Sequence, residues 1–132
     1  MIDHLDHLVL TTANEVACVD FYTRVLGMNL ESFIGGTPPV ERKAFKFGNQ
    51  KINLHIKGKE FEPKANIPTP GSLDLCFIAD CPLTEVIAKL EKAAWPIIEG
   101  PVIRTGATAK IYSVYVRDPD LNLIEISEIY KV

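Results

Sequence analysis

Two histidines and one glutamate stand in the middle of apolar runs, and together they offer the donor types of a divalent-metal site. His7 lies in Asp6-His7-Leu8-Val9-Leu10, His55 in Ile52-Asn53-Leu54-His55-Ile56, and Glu125 in Asn122-Leu123-Ile124-Glu125-Ile126. A polar side chain without a partner is expensive in such a strand. Two imidazoles and a carboxylate are the usual minimum for an ion that keeps open positions for chemistry. Other groups could serve a substrate. Arg104 and Lys110 flank a loop containing Gly106 and could hold a carboxylate or phosphonate; a merely solvated loop is the other reading. Tyr115 could donate a proton or stack if it joins the Glu125 face; packing is its plainer role. His4 precedes the first strand and reads as exposed, and Trp95 as core or interface.

The elements that must position these groups repeat in order. Residues 5–12 read as a strand, and Asn14 can cap a helix running to about Leu26, with Gly27 ending it. Val16, Val19, Phe21 or Tyr22, and Val25 or Leu26 are its expected inward residues. Strands follow over 28–34, 41–47 and 51–57. A connector, residues 58–72, contains Pro63, Pro68, Pro70 and Gly71. The second half gives a strand over 73–79, a helix from Pro82 or Leu83 to Ala93, and strands over 95–101, 110–116 and 121–128. The expectation is one domain over 1–132, with module one about 1–57 and module two 73–132. Its class is α+β: two tandem βαβββ modules forming a curved, open mixed sheet around a metal cleft.

The repeat is one of pattern. Shifting residues 44–56 by 70 lands turn on turn and His55 on Glu125. Shifting the first strand by 67 places His7 on Asp74 and Leu10 on Phe77. The two-residue strand period puts Asn53 and His55 on one face and Ile52, Leu54 and Ile56 on the other. An apolar face against helices and a polar face lining a cleft make a ligand site.

Composition narrows the function classes. The chain has 132 residues, 47% hydrophobic and 23% charged, an ordinary globular balance. Fourteen Lys and Arg against seventeen Asp and Glu give −3 without a basic cluster, which argues against nucleic-acid binding. No run reaches the ~18 apolar residues of a membrane span, and no signal peptide is visible. Cys18, Cys76 and Cys81 show no metal-finger spacing. Cys18 and Cys76 fall in apolar runs, where a thiol acts as a small hydrophobe. A cytoplasmic protein in a reducing compartment is expected.

The motifs resemble those of the vicinal oxygen chelate superfamily, which includes glyoxalase I, fosfomycin-resistance transferases, bleomycin-resistance proteins and extradiol dioxygenases. The matching segments are Asp6–Leu10, Phe21-Tyr22-Thr23-Arg24-Val25-Leu26-Gly27-Met28, and Arg117-Asp118-Pro119-Asp120-Leu121-Asn122-Leu123-Ile124-Glu125. The closer likeness is to the small glyoxalase domain-containing protein 5 group. It rests on residues 47–55, 58–65, 70–76 and 99–107. The resemblance implies metal ligation by His7 and Glu125, with His55 at the fourth-strand position or two residues beyond it. It puts Asp74 where the superfamily has a histidine, so Asp74 is a possible ligand, a positioning group or a cleft residue. Leu121 replaces a glycine, so Asn122 is expected to take the left-handed conformation.

The expected function is therefore that of a metal-dependent lyase, isomerase or extradiol-type dioxygenase. The ion is one divalent Fe, Mn, Ni, Zn or Co, and the substrate is a small molecule with adjacent oxygens. Glu125 and Tyr115 are the catalytic candidates, and Asn53, Arg104 and Lys110 the substrate-binding ones. The alternative is a non-enzymatic, drug-sequestering protein of the bleomycin-resistance kind. The expected assembly is a homodimer, because an open sheet leaves edges to cover.

Overall fold

The structure is a computed structural model describing residues 1–131. It divides into two units, Met1–Gly71 and from Ser72 onward. Each unit holds one mixed sheet of four strands and one helix, so the two-module α+β expectation is met.

The first unit runs β1 (His7–Thr12), α1 (Glu15–Asp20), β2 (Asn29–Gly35), β3 (Val40–Phe47) and β4 (Gln50–Ile56). The sheet order is β1-β4-β3-β2, with β1 parallel to β4 and the other pairs antiparallel. The Asn14 side chain accepts from the Ala17 N–H at 3.1 Å, satisfying a free donor of the first helical turn. After Asp20 the helix widens into a π-turn over Phe21–Val25, closed by Leu26 N–H to Phe21 O at 3.0 Å. That widening rotates the inward face. Phe21 and Tyr22 are both fully buried, as is Cys18, whereas Val16, expected to face inward, is 82% exposed. Tyr22 stacks on Phe45 at 5.0 Å, over a core that includes Leu10, Ile52 and Leu54. Each such side chain contributes about 1.5–3 kcal/mol by burial.

The second unit runs β5 (Asp74–Ile78), α2 (Leu83–Lys92), β6 (Glu99–Thr105), β7 (Lys110–Arg117) and β8 (Leu123–Ile129). Its order, β5-β8-β7-β6, repeats the first. Leu83, Val86 and Leu90 of α2 are buried, as are Val114, Val116, Ile124 and Ile126 of the sheet. The sixth strand begins later than the expected 95–101. Trp95 instead closes the helix end, its N–H bonding Leu90 O and its indole Nε1 donating to Arg117 O at 2.8 Å. The left-handed residue of the β7–β8 loop is Leu121 itself, at φ 70°, not Asn122. Asn122 is held in place by bonds of its own: it is buried, donating to Asp118 Oδ2 at 2.7 Å and accepting from the Leu73 N–H at 2.8 Å.

Candidate metal and substrate site

In the first unit, directly opposed residues of the β1–β4 ladder are His7 with Lys51, Val9 with Asn53, and Thr11 with His55. All share the face turned away from the apolar core. His7 and His55 are thus four residues apart along the strands, roughly 13 Å at ~3.3 Å per residue. The register thus sets His55 two ranks further from His7 than Asn53, although turn-on-turn alignment of the modules pairs His55 with Glu125.

The second unit explains why. There Asp74 opposes Leu123, and Cys76 opposes Glu125. With His7 matched to Asp74, the residue at the rank of Glu125 is Asn53, and His55 falls on Ser127. The offset is 72, not 70. The register also matches Ala44 to Tyr115, each opposite the Asn53 or Glu125 position. The hairpin between the last two strands is one residue longer in the second unit. Aligning turn on turn therefore misplaces the strand that follows.

Each candidate has a defined setting. The His7 Nδ1 is 2.8 Å from Asp6 Oδ2. That bond is the main cause holding the Asp6 carboxyl below its ordinary range. Donation from Nδ1 leaves Nε2 as the free nitrogen. His55 is 6% exposed and meets the Phe61 ring edge-on at 5.5 Å. Burial, and secondly the nearby Arg42 charge, push its imidazole below the usual value, against a weaker upward pull from Glu60. Asn53 Oδ1 is buried without a hydrogen-bond partner. Asp74 is exposed.

Around Glu125 the side chains form a connected chain. Ser113 Oγ donates to Glu125 Oε2 at 2.7 Å and lies 2.6 Å from Ser127 Oγ, which in turn is 3.5 Å from Cys76 Sγ. Ser113 and Ser127 are fully buried, so their mutual bonds satisfy groups that would otherwise be costly. Cys76 is exposed on this polar face, not packed as a small hydrophobe. Burial nevertheless raises its thiol pKa, with Glu125 adding to the effect and the Ser127 bond opposing it. Tyr115 lies opposite Glu125, as expected. Its phenol pKa is raised chiefly by desolvation, against the downward effect of Arg104. Arg104 Nε donates to Tyr115 Oη at 3.0 Å, and the same guanidinium is 3.5 Å from Glu99. Lys110 opposes Thr105, donating to its hydroxyl at 2.9 Å, whereas Arg104 opposes Ile111. The two cations thus face opposite sides of the sheet, and the expected basic pair does not form.

Among the described residues, no group of three or more His, Cys, Asp or Glu side chains is arranged to hold a metal ion. Each sheet contributes ligand-type residues at matched ranks, but neither unit gathers a full set.

A family model for the glyoxalase/bleomycin resistance protein/dioxygenase superfamily matches residues 4–126. The chain belongs to this superfamily. Within it, the chain is 52% identical over 128 residues to virulence protein STM3117 of Salmonella typhimurium, covering 97% of this chain and 85% of that protein. The crystal structure of STM3117 superposes with a TM-score of 0.91, covering 98% of this chain and 99% of that one. The glyoxalase domain-containing protein RDO1 of Mycosarcoma maydis is 54% identical over 123 residues, covering 93% of this chain and 66% of that protein. A more distant superfamily structure is lactoylglutathione lyase from Agrobacterium tumefaciens, at 26% identity and TM-score 0.67, covering 96% and 94% of the two chains. TnmS3, an antibiotic-binding protein from Streptomyces sp. CB03234, shares the fold at 20% identity and TM-score 0.70, covering 98% of each chain.

The residue that sequence reasoning missed is Arg42. Its guanidinium lies 4.3 Å from the Phe61 ring centroid, and its Nε is buried without a hydrogen-bond partner. Its significance lies in what it lacks, which leaves no mark in the sequence.

Proposed function

We propose that this superfamily member is a divalent-metal-dependent enzyme acting on a small substrate with two adjacent oxygens, by lyase, isomerase or extradiol-dioxygenase chemistry. The observation that carries the reading is the matched rank of His7 and Asn53 in one sheet and of Asp74 and Glu125 in the other. The proposed ligand-type residues are His7 of the first unit and Asp74 and Glu125 of the second. Asn53 contacts the substrate, and His55 is a neighbouring neutral group outside the ligand set. Imidazole and carboxylate donors of these kinds suit a divalent Fe, Mn, Ni, Zn or Co. When bound, such an ion lowers the cost of developing oxyanion charge.

The chain's own residues supply the rest. Asp6 fixes the His7 ring through Nδ1. Ser113 occupies one side of the Glu125 carboxylate and limits its rotation. The raised phenol pKa keeps Tyr115 protonated, and the bond from Arg104 occupies its oxygen. The Tyr115 proton is shared with Glu125 and is the one available for donation to a substrate oxygen. Asn53 Oδ1, lacking a partner, suits a substrate hydroxyl.

A second reading, a small-molecule-binding protein without turnover, draws support from the lack of three gathered donors among the described residues. Elemental analysis of protein purified without chelator separates the two, followed by a screen of diols, hemithioacetals and epoxides. Stoichiometric metal in the parent, lost in His7→Ala and Glu125→Ala, supports the enzyme. Equal metal content in parent and variants would sink the ligand assignment, and a metal-free parent that still binds ligands supports the second reading.

No helix among the described residues is long and apolar enough to cross a membrane. Three free thiols suit a reducing, cytoplasmic setting. The sheet edges at β1, β2, β5 and β6 suit a homodimer.

A further inference from the structure

On the polar face of the first sheet, Arg42 is a cation that every neighbour positions and none neutralises. Phe61 covers one side of its guanidinium at 4.3 Å. The other side rests on the β2–β3 turn: a Cβ added to Gly36 would lie 2.2 Å from Arg42 Nη2, and one added to Gly35 would lie 3.4 Å from Cδ. A side chain at position 36, where φ is +82°, would displace the guanidinium, whereas one at position 35 would meet Arg42 Cδ in ordinary contact. Its Nε is shielded from solvent yet has no acceptor. Among the described residues Arg42 makes no ion pair. Glu60, the carboxylate that acts electrostatically on neighbouring His55, is instead bound to the Gly58 N–H at 3.0 Å.

A guanidinium is rigid and always charged, and its donors form a planar fork that matches two oxygens of one anion. Stacking on a ring fixes the plane of that fork but accepts none of its hydrogen bonds. With Nε closed off from solvent, the Nη atoms are the donors left for a group from outside the chain. A further cation, Lys51, lies with its ammonium 4.1 Å from the centroid of the Phe33 ring, which is opposite Arg42, and adds positive potential on the same face.

We propose that Arg42, backed by Phe61 and cradled by Gly35 and Gly36, is the binding residue for a small oxyanion, either a carboxylate or a phosphate-type group. The site stands on the first unit alone, so it holds whether or not the metal reading does.

The test uses the full chain after chelator treatment, which removes metal as a source of anion binding. Titration calorimetry with inorganic phosphate, phenylphosphonate, acetate and benzoate gives the parent's preference and tells carboxylate from phosphate. Arg42→Met keeps most of the side-chain length without the charge, and Arg42→Lys keeps the charge without the fork. At least one anion is expected to bind the parent, about tenfold or more weaker in both variants. Native-like circular dichroism of Arg42→Lys guards against a loss caused by unfolding. Binding of none of the four anions to the parent overturns the proposal, as does undiminished affinity in folded Arg42→Lys and Arg42→Met.

Discussion

At the scale of single residues, His55 shows how a face can be legible in a sequence while the rank along the strand is not. The two-residue period of β4 correctly placed Asn53 and His55 on one face. Which of them lies two ranks from His7, as Glu125 does from Asp74, is set by the β1–β4 register, which turn residues alone do not reveal. His55 still has a measurable role in stability. Its folded-state pKa lies below the ordinary 6.5 because of burial and the Arg42 charge. The unfolded chain therefore binds the proton more readily, and stability falls as pH drops below about 6.5 until the folded-state pKa is passed. Urea midpoints at pH 7.5 and 5.5 should show this loss in the parent and a smaller one in His55→Gln. An unchanged pH dependence in the variant would place the effect elsewhere. Leu121 offers a second test. It is 66% exposed, so little packing offsets its φ of 70°. Leu121→Gly should stabilise the chain by about 0.5–1 kcal/mol, the relief of left-handed strain outweighing the added freedom of the unfolded glycine. Thermal denaturation reads it directly.

At the scale of elements, β6 solves a parity problem. Glu99 and Arg104 are five apart, which in a regular strand would turn them to opposite faces. The register shift between Glu99 and Val102 inserts one residue, so Glu99 opposite Tyr115 and Arg104 opposite Ile111 share a side. Gly100 makes the shift possible at φ 100°, where a Cβ would sit 2.5 Å from Ser113 O. Gly100→Ala should cost at least about 2 kcal/mol and loosen the Glu99–Arg104–Tyr115 contacts. Chemical denaturation with tyrosine absorbance titration would register both changes, and unchanged curves would rule the bulge out as their cause. The strand alternation was legible in the sequence, but the bulge displaced β6 from its expected position because it interrupts that alternation. The Asp118–Asn122 segment was legible only as a family mark; its work is to tie the start of β5 to the start of β8. Asn122→Ala removes both the acceptor of the Leu73 N–H and the donor to Asp118 Oδ2, the latter in a buried setting. An expected loss of about 2–4 kcal/mol follows in the same denaturation assay.

At the scale of the whole molecule, the duplication makes the ligand assignment testable without knowledge of the substrate. Its order of elements was legible because each module announces its helix caps, turns and alternating strands. The offset between modules was not, because it grows from 67 at the first strand to 71 at the third and 72 at the fourth, and an error of two keeps the face of β4 while sliding its rank. An offset of 70 makes His55 the partner of Glu125 and a ligand; an offset of 72 makes Asn53 the partner and leaves His55 a neutral neighbour of Phe61 and Arg42. Asp74 takes the His7 position under either alignment of the first strands, yet only the ligand set built on the second offset requires it. His55→Ala and Asp74→Ala, purified alongside the parent without chelator, should therefore differ in metal content. The offset of 72 predicts near-parental metal in His55→Ala and a loss of about tenfold or more in affinity for Asp74→Ala, since a missing carboxylate ligand removes both a bond and a charge. The opposite ranking would restore His55 to the coordination sphere and remove Asp74. Circular dichroism on both variants separates ligand loss from unfolding, a necessary control for His55 because its ring is buried against Phe61.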